Sequence, residues 1–176
     1  TPHAIVSSQH KDGTGALQLT GASGDSMAFG SITGPGTGNY TAEMWVRFAS
    51  LTGGAAMFAG NYNTGGFFAV GDGRVGWIAG AVSQESSAGA ATANTWYHIA
   101  AVRNAGTVRF YFNGAASAGV SDASSVTVPF AMGEDGSYGV ARAAFIDEYR
   151  FTNSALYTSN FTPASPLDTT PPSNVD

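Results

Sequence analysis

The chain has 176 residues, enough for one domain with a sizeable core. Hydrophobic residues make up 43% and charged residues 11%, against about a quarter charged in an ordinary domain, and the net charge is −5. One Lys and six Arg are dispersed without a basic stripe, which argues against phosphate-led nucleic-acid binding. No apolar run is long enough to span a bilayer, and the absence of Cys removes disulfides and thiol chemistry.

Taken in order, the elements are short apolar runs punctuated by Gly, Asn, Asp and Ser. "YTAEMWVRF" (40–48) alternates Met44, Val46 and Phe48 with Glu43, Trp45 and Arg47, the period of a strand with one buried face. "GDGRVGWIAG" (71–80) turns at Asp72-Gly73. "WYHIAAVR" (96–103) is apolar on both faces and suits a central strand. "RNAGTVRFYFNG" is a hairpin through Asn104-Ala105-Gly106, and Asn113-Gly114 signals a further turn into a strand near Ala115–Val120. A helical turn capped by Asn153 or Ser154 is expected near 153–157. Turn signals every 8–12 residues or so imply an all-β, two-sheet antiparallel jelly-roll sandwich. The domain is expected over 1–167, with the Pro-rich 168–176 leaving it as a linker.

The acids do not form a hydrolase pattern. There are four Glu, at 43, 85, 134 and 148. Glu134-Asp135 and Asp147-Glu148 are adjacent pairs, which on a strand face opposite ways and cannot flank one glycosidic bond. His98, inside a strand, is expected as a hydrogen-bonded core residue. On strand 144–151 the alternation places Phe145, Asp147, Tyr149 and Phe151 on one face. Glu148 and Arg150 fall on the other, available to Arg47 or Glu43. Asp25 and Glu134-Asp135 lie in Gly/Ser-rich turns and are expected as solvated turn acids. A ligand surface is expected in "GNYNTGGFFAVGDGRVGW" (60–77). There Asn61, Tyr62, Asn63, Asp72, Arg74 and Trp77 combine aromatic platforms with the polar groups that bond sugar hydroxyls.

"EMWVRF", "WYHIAAVRNAGTVRFYFNG" and "FIDEYRFTNSALYTSNFTPASPL", preceded by "HKDGTGALQLTGASGDSMAFG", occur in the order and spacing of concanavalin A-like jelly-roll domains. The chain resembles their laminin-G-like type over about 5–167. The ending "ALYTSNFTP" is similar to copies in phage tail and fibre proteins. The resemblance implies a non-catalytic binding or adhesion module in a virion or bacterial surface protein. It would recognise a surface glycan or another cell-surface receptor beside the other domains of a larger protein. The rivals are a ligand-free spacer in a fibre and, further off, a divergent glycan hydrolase. The resemblance also implies a structural Ca²⁺, with Asp147 as its carboxylate ligand and carbonyls of residues 8–13 beside it. The alternative for Asp147 is a carboxylate that accepts backbone N–H bonds without a metal.

Overall fold

A computed structural model describes residues 3–22, 25–133 and 142–167, apart from the side chains of 28–32 and 127–130. Fourteen strands and no helix are present among the described residues: β1 (His3–Val6), β2 (Ala16–Leu19), β3 (Ser26–Gly36), β4 (Tyr40–Phe48), β5 (Ala56–Asn61), β6 (Gly65–Ala69), β7 (Val75–Ala79), β8 (Val82–Glu85), β9 (Trp96–Asn104), β10 (Thr107–Phe112), β11 (Ala115–Ala116), β12 (Val120–Ser121), β13 (Val126–Gly133) and β14 (Ala144–Thr152). They form two antiparallel sheets. One runs β1-β2-β14-β4-β9-β10-β11, with β12 also on β10, and the other runs β3-β13-β5-β6-β7-β8. This is the two-sheet antiparallel sandwich expected from the sequence.

The alternation read from β4 is the alternation observed. Tyr40, Met44, Val46 and Phe48 enter the inter-sheet core with Phe58, Phe67, Trp77, Ile99 and Phe110, while Glu43 and Trp45 face the other way. The β9–β10 hairpin turns at Ala105-Gly106 and the next turn at Asn113-Gly114. All four residues have positive φ, as the tightest hairpin turns require. The strand expected at Ala115–Val120 is broken into the two-residue pieces β11 and β12. No helical turn forms at 153–157. There the hydroxyl of Thr41 donates to the Ser154 carbonyl (2.8 Å) and accepts the Leu156 amide (2.9 Å), holding the chain in an open bend.

One expectation fails for a clear reason. The register between β14 and β4 slips after Asp147, and Glu148 sits at φ +55°, so β14 carries a bulge. Beyond the extra residue the faces swap. Tyr149 and Phe151 pack against the same core as Ala144 and Ile146, and Arg150 turns outward toward Glu43. Asp147 therefore does not share a face with Tyr149 and Phe151.

Arg103 closes the core beside Tyr40. Its guanidinium is fully buried and makes four hydrogen bonds, donating to the carbonyls of Gly36 (2.5 Å), Gly38 (2.8 Å) and Ser124 (2.6 Å) and to Asp122 (3.2 Å). A buried charge is tolerable only when paired and hydrogen-bonded in this way. Residues 134–141 and 168–176, and with them the acid pair Glu134-Asp135 and the expected linker, lie outside the described residues.

Candidate functional site

The segment 60–77 builds the middle of the six-stranded sheet. Phe67 and Trp77 face inward, 4.8 Å apart edge to face, and both are fully buried. Trp77 is thus a core side chain and cannot meet a ligand, which corrects its place in the expected site. The hydrophobic drive that buries a large indole outweighs any display of it on the surface.

The alternate positions, Gly66, Phe68, Gly76 and Ile78, form the sheet's outer face, with Met57 in register with Phe68. Two glycines shape that face. A Cβ on Gly66 would lie 2.5 Å from Met57 Cε, and one on Gly76 would lie 2.7 Å from Phe68 Cζ. Met57 and Phe68 are themselves buried on this side, and Ile78 is half-buried, so only part of this apolar face is open to solvent.

The other expected ligand residues stand at opposite ends of this face. Asn61, Tyr62 and Asn63 form the β5–β6 turn, where the Asn61 side chain accepts the Asn63 amide (2.9 Å) and the Tyr62 carbonyl accepts the Gly80 amide (2.9 Å). Asp72 and Arg74 form the β6–β7 turn. Arg74 donates to Asp72 (2.9 Å) and to Glu85 (2.7 Å) on β8. β6 separates the two groups by roughly 14 Å at the usual strand rise. They do not converge on one point but bracket a strip.

Asp147 does link the last strand to the N-terminal segment, through amides. Its Oδ2 accepts the N–H groups of Lys11 (2.8 Å) and Asp12 (3.1 Å), and its Oδ1 accepts that of Glu148 (2.9 Å). Three N–H donors occupy directions from which a cation would need oxygen atoms, since Ca²⁺ takes six to eight. No cluster of three or more potential metal-ligating side chains exists among the described residues. The neighbouring acids are engaged as well. Asp12 accepts the Ser165 hydroxyl (3.1 Å), and Glu148 accepts the Leu167 amide. The residues present do not fit a calcium cage. Asp25 is buried rather than solvated, accepting the amide (2.5 Å) and hydroxyl (2.7 Å) of Thr20.

A second polar constellation was legible in the sequence only as separate residues. Glu43 on β4 is fully buried on the outward side of the eight-stranded sheet. It accepts His98 Nε2 (3.0 Å), the Tyr157 hydroxyl (2.9 Å) and Arg150 Nε (2.7 Å). Burial opposes ionisation of Glu43. The His98 hydrogen bond and the Arg150 charge outweigh it, and the carboxyl is held below its ordinary range. Burial and the Glu43 charge push the Tyr157 phenol up. Residues 153–167 lie over this cluster as a strap. Tyr157 and Phe161 stack 3.6 Å apart, and Phe161 meets the rings of His98 and Tyr111 edge-on or tilted. The strap thus encloses the Glu43 carboxylate.

Comparison with known families decides the classification. A laminin-G family model of the concanavalin A-like lectin/glucanases superfamily matches residues 20–160. The chain belongs to that superfamily. Among solved structures, Trypanosoma rangeli sialidase in complex with the inhibitor DANA is similar (TM-score 0.65, 13% identity), covering 88% of this chain and 27% of the sialidase. A mutant of the same sialidase displaying trans-sialidase activity aligns at TM-score 0.64 and 12% identity, over 88% of this chain and 28% of that one. The heptameric SAP-like pentraxin of Limulus polyphemus aligns at TM-score 0.58 and 10% identity, over 81% and 77% of the two chains. This chain thus spans about a quarter of the sialidases' length, and at such identities the likeness is one of superfamily fold. No curated protein sequence matches the chain.

Proposed function

We propose that the chain is a non-catalytic glycan-binding module, one domain of a larger bacterial surface protein or phage tail or fibre protein. It would serve adhesion at a virion or cell surface. The observation that carries this reading is the outer strip of the six-stranded sheet. An apolar face, with Ile78 half-buried and Met57 and Phe68 buried, runs between Tyr62 and two Asn residues at one end and the Asp72–Arg74–Glu85 group at the other. Sugars bind surfaces of this composition through their C–H faces on apolar and aromatic groups and their hydroxyls on flanking polar groups. The engaged state of Glu43, Asp147 and Glu148 supports a module without hydrolytic chemistry. A ligand-free spacer is the competing reading.

A glycan array probed with the whole chain tests the choice. Binding should appear, and Tyr62→Ala should weaken it by about 1–3 kcal/mol, the usual share of an aromatic contact at a binding surface. The Tyr62 carbonyl bond to Gly80 survives that substitution, and a melting curve of the variant separates lost contact with the glycan from lost packing. Binding to no glycan of any class would leave the spacer reading.

A further inference from the structure

β1 and β3 are edge strands, one in each sheet, and both contribute to a cleft of about 220 Å³ between the sheets. On one wall Ile5, Leu17 and Ile146 stand in register across β1, β2 and β14. On the other, Met27 and Met132 are paired across β3 and β13. Ile5 is 72% exposed, more than any other large apolar side chain among the described residues. β1 has β2 as its one strand neighbour, so alternate residues turn their N–H and C=O groups away from the sheet. Asp147 and Glu148 also line the cleft, and no Lys, Arg or His does. Amides bond both carboxylates and leave their charge in place, and neither carboxylate forms an ion pair among the described residues.

We propose that this edge docks an extended peptide segment of a partner protein. The segment pairs with β1 as a further strand and seats a large apolar side chain, flanked by Lys or Arg, in the cleft beside Ile5. Each part of that description answers to a feature of the edge. The free strand edge accepts extended backbone, and the cleft beside it reads a side chain. A cavity of about 150 Å³ accommodates benzene, so Leu, Met or Phe can enter, and two flexible Met side chains let the wall adjust to each. The two uncompensated carboxylates favour a cation beside the apolar group. A second copy of the chain fits less well, because β1 has no Lys or Arg and would bring two more carboxylates with it. The edge is distinct from the strip on β5–β7, so this proposal does not depend on glycan binding.

The test is selection of a displayed random-peptide library on the whole chain, followed by titration with the synthetic consensus peptide. Enriched sequences should carry Leu, Met or Phe next to Lys or Arg, and the peptide should shift the methyl signals of Met27 and Met132. Glu148→Gln keeps an acceptor for the Leu167 amide and removes the charge. It should weaken the peptide about fivefold, the scale of a partly exposed ion pair. Ile5→Ser, at an exposed position, should weaken it about tenfold, with an unchanged melting temperature. Enrichment of no sequence, or of acidic or uncharged ones, would overturn the proposal, as would equal affinity for the wild type and both variants. Dimerisation of the chain that Ile5→Ser abolishes would assign the edge to a second copy and overturn it too.

Discussion

Asp147 shows how a carboxylate on a strand can look like a metal ligand and act as a hydrogen-bond anchor. Its three amide partners join β14 to residues 11 and 12, more than a hundred positions away in the chain. Hydrogen bonds to a charged acceptor contribute about 1.5–3 kcal/mol, so Asp147→Ala should cost about 2–3 kcal/mol in urea unfolding. EDTA should leave the wild-type melt unchanged. A rise of several degrees on adding Ca²⁺, lost in Asp147→Asn, would show that an ion takes the place of the amides. Glu43 yields a prediction with a definite sign. Its folded carboxyl is held below the ordinary value of 4.5, so the folded state takes up the proton less readily than the unfolded one. Its stabilisation is therefore complete above pH 4.5 and is lost as pH falls through the lower, folded value. Glu43→Gln should cost roughly 3 kcal/mol at pH 7, because Arg150 and His98 lose their charged partner. It should also flatten the decline of stability between pH 5 and 3, a range set by that ordinary value. An equally steep decline in the variant would show that other carboxylates govern acid unfolding.

At the scale of elements, alternating side chains made β4 and β10 readable, and β9 was readable because it is apolar, and buried, on both faces. The same rule misassigned the second half of β14. A bulge adds one residue, and the contacts that accompany it, Arg150 with Glu43 and Tyr157, are tertiary. The strap was illegible for a related reason. Residues 153–167 have neither period, and their order comes from contacts with distant strands. Phe161 donates its amide to Gly114 (3.0 Å), Asn160 accepts that of Ala116 (3.0 Å), and Trp45 donates to Ala164 (3.2 Å). A Cβ on Gly114 would fall 1.9 Å from the Phe161 carbonyl oxygen, and its φ of +78° disfavours any side chain. Gly114→Ala should therefore lift the strap. Phe161→Ala, at a half-buried site, should cost about 2 kcal/mol, below the range for a fully buried Phe. Both substitutions disrupt the same docking, so their combined cost should fall short of the sum by at least about 0.5 kcal/mol. Additive costs would mean that Gly114 and the strap are energetically independent.

At the scale of the whole molecule, the strap and the strip divide the two outer faces. Residues 153–167 cover part of the eight-stranded sheet, and the six-stranded sheet carries a small apolar pocket on its outer side. Twelve acidic residues against seven basic ones set the field in which any ligand arrives. On the strip, two carboxylates share one guanidinium, so the local balance is negative too. A neutral oligosaccharide feels little of this. Its affinity should change less than about twofold between 50 and 500 mM NaCl, conditions that take the screening length from over 10 Å to about 4 Å. An oligosaccharide carrying uronate carboxylates should bind more weakly at low salt and gain as salt rises, because screening relieves repulsion from Asp72 and Glu85. The opposite slope, with uronates bound tightly at low salt and released at high salt, would require Arg74 to leave its two partners for the ligand. Arg74→Gln decides between these cases. It should weaken binding of neutral and acidic oligosaccharides alike if Arg74 only holds the turn and β8 together, and weaken the acidic ones selectively if it grips a carboxylate.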